Sequence, residues 1–252
     1  MSATSLSVFL PGVPIDKVLG RLANAGGNEI QSGKLTSPES SAALAVNTFG
    51  WFVERPHLLP PFPRMDASQP PTMVEVEYCA RFPWSGGRHP WLDAFVETPA
   101  CIIGVESKRF EPFRDKKTVS LSPAYDRPVW GSGMRPFELL RDRLRTGEAS
   151  FAYVDAAQLV KHAFGLVTES NRKGRPSVLL YIFAEPMQLG GRNIDQDDIL
   201  NHRKEVQLFS NMVAGAAVHF VSCSYREWLA TWPTENIEVQ CHAQAVLETF
   251  RP

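Results

Sequence analysis

Two short segments rich in β-branched and aromatic residues, separated by only a proline and an alanine, restrict most strongly what this chain can fold into. They read WLDAFVET, which ends at residue 98, and CIIGVESK, which starts at residue 101. Segments of this length and composition are typical of strands, and so short a connection joins strands that run antiparallel. The two segments therefore predict a β-hairpin with Pro99 and Ala100 at its turn.

This hairpin is predicted to place three charged side chains on one face. With a two-residue loop, paired positions sum to 199, so Asp93 faces Glu106 with Cβ atoms ~5 Å apart. Lys108 projects from the same face because it is two residues beyond Glu106. The fixed φ of Pro99 does not suit the turns that two-residue loops prefer, so a four-residue loop, with Asp93 diagonal to Glu106, is an alternative. A loop of three or five residues would destroy the arrangement. The opposite face is predicted to be an apolar stripe against the core, formed by Leu92, Ala94, Val96, Cys101, Ile103 and Val105.

Two carboxylates facing each other on adjacent strands repel unless something compensates them, and a divalent cation would do so. Mg²⁺ accepts one or two carboxylates together with water and substrate oxygens, so Asp93, Glu106 and the carbonyl of Ser107 are candidate ligands. Lys108 would orient an attacking water or stabilise the charge that develops on a phosphate. Glu77 is a further candidate ligand if the segment TMVEVEYCARF, which also contains Glu75, forms a strand beside the hairpin.

The order Asp, then Glu-x-Lys on the next strand of a hairpin, resembles the PD-(D/E)XK nuclease superfamily. The stretch from Val74 to Phe113 is similar to a bacterial group of restriction-endonuclease-like proteins, with weaker similarity in SSAALAVNTFG and DAAQLVKHAFGL. The resemblance implies hydrolysis of DNA phosphodiester bonds that depends on Mg²⁺, with Mn²⁺ as a substitute. It implies Asp93 and Glu106 as metal ligands and Lys108 as the catalytic lysine. Leu92 stands where the superfamily's name has proline.

Two helices are expected to add residues to this site. Many members of the superfamily carry an acid on the helix before the sheet. Here that helix, with Ser37 as N-cap and Pro38 at its first position, offers Glu39, Asn47 or Glu54, and the sequence does not choose among them.

The second helix runs from its N-cap Asp155 to Gly174 and carries Gln158, Lys161 and His162 along one polar stripe. In related nucleases the corresponding helix often contributes a polar residue, so Gln158 and Lys161 are predicted to contact substrate or water. A solvent-facing stripe is an equal alternative.

Local basic residues are candidates for contacts with phosphates. For the residues from Arg109 to Lys117, a solvated loop is the favoured interpretation. The candidates are Arg109, Arg114, Lys116, Lys117, Arg172, Lys173 and Arg175. His89 has no partner at metal-ligand spacing and is predicted to be structural.

The order of the predicted elements favours an α/β fold, restriction-endonuclease-like, with a central mixed sheet flanked by helices. A helix and three antiparallel-type strands are followed by helices, the buried strand SVLLYIFAEP, a helix, the strand AVHFVSCSY and final helices. No linker separates the later strands from the hairpin, so one domain is expected over residues 1–252. Residues 1–37, rich in Gly, Ser and Asn, are expected to pack loosely.

Composition leaves the function open. The chain has 26 basic and 27 acidic residues, so any surface that binds nucleic acid must be local. The four cysteines form no Cys-x-x-Cys pair, no Gly-x-Ser-x-Gly elbow occurs, and no segment approaches the ~20 apolar residues of a membrane span. The sequence thus favours a cytoplasmic, DNA-cleaving enzyme without membrane contact, and fold analogy suggests a homodimer. The alternative is a DNA-binding or scaffold module that keeps the fold without turnover.

Overall fold

The computed structural model describes residues 8–26, 29–65 and 69–252. Its helices are α1 (Ile15–Asn24), α2 (Ser41–Gly50), α3 (Glu111–Arg114), α4 (Arg135–Thr146), α5 (Ala156–Lys173), α6 (Gln196–Met212), α7 (Tyr225–Leu229) and α8 (Ile237–Phe250). Its strands are β1 (Met73–Cys79), β2 (Trp91–Glu97), β3 (Ile102–Lys108), β4 (Ser177–Phe183), β5 (Gln188–Leu189), β6 (Arg192–Asn193) and β7 (Val218–Ser224). In the described chain, no helix has the length and apolar character needed to cross a membrane.

Five of these strands form the central sheet, in the order β1-β2-β3-β4-β7. β1, β2 and β3 pair antiparallel, whereas β3, β4 and β7 pair parallel. The prediction of an α/β fold with a central mixed sheet is therefore confirmed. The short antiparallel pair β5–β6 was not predicted, because two residues a strand are too few to show a period.

The hairpin β2–β3 has the register that a two-residue loop predicts. Ala94 lies opposite Val105, and the turn is closed by a 2.9 Å hydrogen bond from the Thr98 N–H to the Cys101 carbonyl. The Thr98 hydroxyl also accepts a 2.9 Å hydrogen bond from the N–H of Cys101. The backbone bond and this side-chain bond together hold the tight turn despite the fixed φ of Pro99, and the shifted register is not found.

The sheet is covered on both faces. The α2 layer comprises α1, α2, α7 and α8, and the α5 layer comprises α4, α5 and α6. Alternate residues of β4 divide between them: Leu180 packs in the α2 layer, while Leu179 and Tyr181 pack in the α5 layer. All seven residues of β4 are buried, as its continuous apolar run predicts.

The described part of residues 1–37 differs from the loosely packed segment expected. Val18 and Leu22 on one face of α1 are buried in the core, and so is Leu35. The apolar spacing of α1 outweighs the Gly, Ser and Asn content of the segment, because it offers the sheet a continuous face to bury. Residues 1–7 and 27–28, which also belong to the predicted segment, lie outside the described residues.

Helix α2 begins later than predicted. Its N-cap is Ser40, whose hydroxyl accepts a 3.0 Å hydrogen bond from the Ala43 N–H. Ser37 instead forms a local turn, in which its carbonyl accepts from the Ser40 N–H. Helix α5 begins and ends as predicted, with Asp155 as N-cap and Gly174 at φ 62° as its stop.

Helix α5 approaches the sheet closely at Gly165. A Cβ there would lie 2.8 Å from the Cβ of Ala80 and 2.9 Å from its carbonyl oxygen. We expect Gly165→Ala to lower the free energy of unfolding by about 1–3 kcal/mol, because overpacking outweighs the helix propensity of alanine. Urea unfolding measures this. The matched control is Gly20→Ala on the exposed face of α1, where nothing lies within 4 Å and no loss is expected. Equal stability of the two variants would contradict the close packing.

Candidate active site

The central sheet is interrupted at two acidic residues. Val76 on β1 pairs with Ala94 on β2, so the next positions, Glu77 and Asp93, lie opposite each other. Glu77 has a φ of 51°, a left-handed conformation that residues with a Cβ rarely adopt and that costs about 1–3 kcal/mol. Such strain clusters at functional sites. Glu77 lies beside Asp93, as expected if the first strand pairs with the hairpin.

The predicted apolar stripe is wrong at one residue, Leu92. Ala94, Val96, Ile103 and Val105 pack in the α2 layer as expected, and the partly buried Cys101 contacts it. Leu92 packs instead in the α5 layer, as does its partner Tyr78. Strict alternation would put Leu92 on the same face as Ala94, so the alternation of β2 is broken at Asp93. The left-handed residue on the neighbouring strand accounts for the change of face.

The hairpin brings Asp93, Glu106 and Lys108 together. The backbone ladder between β2 and β3 ends at Ala94, and the N–H of Ser107 donates to Oδ2 of Asp93 at 2.6 Å. The ammonium of Lys108 forms an ion pair with Oε1 of Glu106. Glu106 is 1% exposed, and its carboxylate is therefore held by neighbouring side chains rather than by water.

Helix α5 adds a residue that the sequence analysis did not assign to the site. Nδ1 of His162 lies 3.1 Å from Oε2 of Glu106, and His162 is buried. Gln158 and Lys161, the two residues assigned from this helix, are half-buried and line the same cleft. The sequence places His162 one helical turn beyond Gln158, on the same face of α5. Its burial could not be predicted, because burial depends on how closely α5 approaches the sheet.

Negative charge exceeds positive charge among these buried groups. Burial and the nearby Glu106 carboxylate raise the pKa of Asp93 well above its usual range. Burial, Glu29 and Glu106 raise the pKa of Glu77 to about 7. Both acids therefore hold protons at pH values where they would be ionised in water, unless a cation comes close.

The pKa of Glu106 shifts in the opposite direction. Burial alone would raise it, but Lys108 and His162 together lower it to about 2. Burial would likewise lower the pKa of Lys108, whereas Glu106 and Asp93 raise it. Glu106 and Lys108 thus form a fully ionised pair at neutral pH. The positive charge of Lys108 also acts on Asp93.

Glu77, Asp93 and Lys108 line a cleft of about 1440 Å³. Residues at the start of α2 line the same cleft. Glu39 lines the cleft there, so it is the candidate from the first helix that the structure brings to the site. Asn47 is buried instead and accepts a 2.6 Å hydrogen bond from the Leu10 N–H. Glu54 forms an ion pair with Lys17 on the surface.

Most of the predicted phosphate contacts have other partners. Arg109 is buried and donates to backbone carbonyls of two distant segments. Lys173 and Arg175 both pair with Glu97 at the far end of the hairpin. Arg114 does line the cleft, although it also pairs with acids. Basic residues next to each other in sequence therefore serve mainly to hold segments of the fold together.

Oxygen ligands for an ion are present but few. Within residues 8–26, 29–65 and 69–252, no three His, Cys, Asp or Glu side chains converge on a point where they could hold an ion. At most two carboxylates can therefore contribute from the arrangement described, with backbone carbonyls, water and substrate completing the coordination. Mg²⁺ sites with one or two protein carboxylates have this composition.

Comparison with protein families gives a match over residues 8–250 to a family described as Restriction Endonuclease associating with ARP. No curated protein and no solved structure matches the chain. The family match spans both helical layers, the hairpin and the cleft.

Proposed function

We propose that this chain, which belongs to the family Restriction Endonuclease associating with ARP, is a Mg²⁺-dependent endonuclease of the PD-(D/E)XK type that hydrolyses phosphodiester bonds in DNA. The observation that carries the proposal is the convergence of Asp93, Glu106 and Lys108, of which Asp93 and Lys108 line a cleft. The Asp and Glu-x-Lys order in the sequence supports it independently. On this proposal residues 1–252 form one nuclease domain.

The charge of the cluster supports a divalent cation. Glu77, Asp93 and Glu106 are three acids served by one lysine, and burial makes each uncompensated carboxylate costly. Mg²⁺ would compensate the negative charge that these acids carry when they are ionised. Its ligands would be the carboxylates of Asp93 and Glu106 and the carbonyl of Ser107, with Glu77 as a further candidate in place of one of the two acids. Mn²⁺, which accepts similar oxygen ligands, is expected to substitute.

Each side chain then has a physical role. The bound ion supplies positive charge that polarises the scissile phosphate and lowers the pKa of water. Lys108 orients the attacking water or stabilises negative charge on the phosphate. The N–H of Ser107 fixes the carboxylate of Asp93, and His162 fixes that of Glu106.

Gln158 and Lys161 lie on the turn of α5 that faces the cleft, within reach of a bound strand. We assign them to substrate or water contact. The family's description names an association with ARP, and we extend that association to this chain. A cytoplasmic homodimer, with one site for each strand of a duplex, is the assembly we propose.

One observation favours a second function, that of a DNA-binding or scaffold module without turnover. Lys108 and His162 already contact the two oxygens of Glu106, so an ion has to share this carboxylate with them or displace one of them. A module that has lost catalysis would keep the ion pair closed.

Cleavage of supercoiled plasmid by the purified chain separates the two functions. We expect nicked and linear products with Mg²⁺ or Mn²⁺, none with EDTA, and recovery when the ion is restored. Protein that binds DNA or Mn²⁺ but never cuts with any divalent ion would contradict the nuclease and support the binding module.

A further inference from the structure

The lining of the cleft contains two groups of residues that differ in chemistry. One group holds the acids described above. The other, here called the aromatic-basic end, comprises Arg81, Trp84, Arg88, Trp91 and Tyr125. Arg81 and Arg88 carry positive charge, whereas Glu77 and Asp93 of the first group are acids. A ligand with negative charge and flat apolar groups is suited to the aromatic-basic end.

Arg81 and Arg88 are available to such a ligand. Both are exposed, and no carboxylate in the described part of the chain lies within 4 Å of either guanidinium. Most of the arginines discussed above are held by acids or carbonyls, as Arg109 and Arg175 are. Unpaired guanidinium groups beside a cleft attract phosphates, because no internal partner must be given up.

Trp84 adds a fixed aromatic surface to the same cleft. Its ring packs against Phe82, with centroids 4.9 Å apart, and against Trp130 at 5.4 Å. The guanidinium of Arg127 lies 4.4 Å over the ring. Trp84 nevertheless stays half-buried and lines the cleft. A rigid aromatic ring beside free arginines is the arrangement that stacks bases of an unpaired strand and contacts its phosphates.

The volume of the cleft suits a short unpaired segment. Pockets for one small ligand measure about 300–1,000 Å³, and this cleft measures about 1440 Å³. Asp93 and Lys108 line this cleft, and Glu106, which pairs with Lys108, is 1% exposed. A phosphate must therefore enter the cleft to approach Asp93 and Lys108.

We propose that the aromatic-basic end binds an unpaired DNA strand, with a base stacked on Trp84 and phosphates on Arg81 and Arg88, and leads that strand to the acids. This inference rests on the proposed nuclease function and names its substrate as single-stranded or locally unpaired DNA. A duplex would first have to open, which costs a few kcal/mol where bases are paired.

Fluorescence anisotropy of a labelled oligonucleotide of roughly 12 nucleotides tests this in EDTA, where metal-dependent cutting cannot proceed. We expect the single strand to bind on the order of tenfold or more tightly than the same sequence annealed to its complement. Trp84→Ala should weaken binding of the single strand about 5- to 100-fold, and Trp84→Phe should restore most of it. Thermal unfolding of both variants checks that the fold is kept.

Arg88→Ala should also weaken binding and reduce its dependence on salt by about one phosphate contact. Its matched control is Arg192→Ala, an exposed arginine on β6 that lies outside the cleft and should change neither quantity. Equal affinity for strand and duplex, an unaffected Trp84→Ala variant, or tighter binding of the matching RNA strand would overturn the inference. Selective binding of the single strand without cleavage in the presence of any divalent ion would support this inference and contradict the proposed nuclease function. Plasmid cleavage with no preference for unpaired DNA would support the nuclease function and contradict this inference.

Discussion

Asp93→Asn is expected to reduce metal-dependent DNA cleavage by about 1,000-fold, since a metal-ion contact contributes several kcal/mol to the transition state and each 1.36 kcal/mol is tenfold in rate. The amide keeps the size of the side chain and can still accept the hydrogen bond from the Ser107 N–H. It removes the negative charge that an ion requires. The measurement is the initial rate of plasmid nicking at saturating Mg²⁺, with Mn²⁺ binding followed separately.

The chain supplies a matched control for this substitution. Asp115 and Lys117 form a second acidic-x-Lys pair, on an exposed segment beyond α3. Asp115 lines the same cleft but is exposed and pairs with Arg114, so Asp115→Asn should cost far less than Asp93→Asn and leave the nicking rate within about tenfold of the unsubstituted chain. Lys108→Met should lose cleavage while still binding Mn²⁺, and Lys117→Met should not. Equal losses in both pairs would mean that the hairpin acids have no special role.

The hairpin could be predicted because its determinants are local. Alternation and a two-residue separation fix which side chains of β2 and β3 face each other, and neither depends on the rest of the fold. The register from Ala94 opposite Val105 to Glu97 opposite Ile102 follows from these two facts alone, and extending it by one position puts Asp93 opposite Glu106. The continuous apolar run of β4 predicts burial on both faces in the same way.

The conformation of Glu77 could not be predicted, because a left-handed residue inside a strand is imposed by packing rather than by local preference. The change of face at Leu92 follows from it and was missed for the same reason. The sequence predicts His162 on a polar stripe but gives it no role in the site, because helical spacing defines a face of the helix but not what covers that face. Its contact with Glu106 depends on the close approach at Gly165, which brings α5 against the sheet.

Glu77→Gln is expected to stabilise the metal-free protein increasingly as pH rises. The pKa of Glu77 is raised from 4.5 to about 7 by burial, Glu29 and Glu106, so the folded state holds a proton that the unfolded state releases above pH 4.5. The stabilisation from this bound proton is fully present below pH 4.5 and is lost as pH rises through 7. Glutamine does not ionise and loses nothing. The difference should be small at pH 4 and reach about 3 kcal/mol in favour of the variant at pH 8.

Urea unfolding in EDTA at several pH values between 4 and 8 measures this difference. The φ of 51° is shared by both proteins, so backbone strain cancels and the carboxylate alone is compared. Saturating Mn²⁺ supplies the internal control: an ion beside Glu77 and Asp93 would stabilise the ionised acids, and the advantage of the variant at pH 8 should shrink or reverse. A difference that stays constant from pH 4 to 8 would show that Glu77 is ionised in the folded protein. In that case the excess of buried negative charge, on which the proposed ion depends, would have to be compensated within the chain.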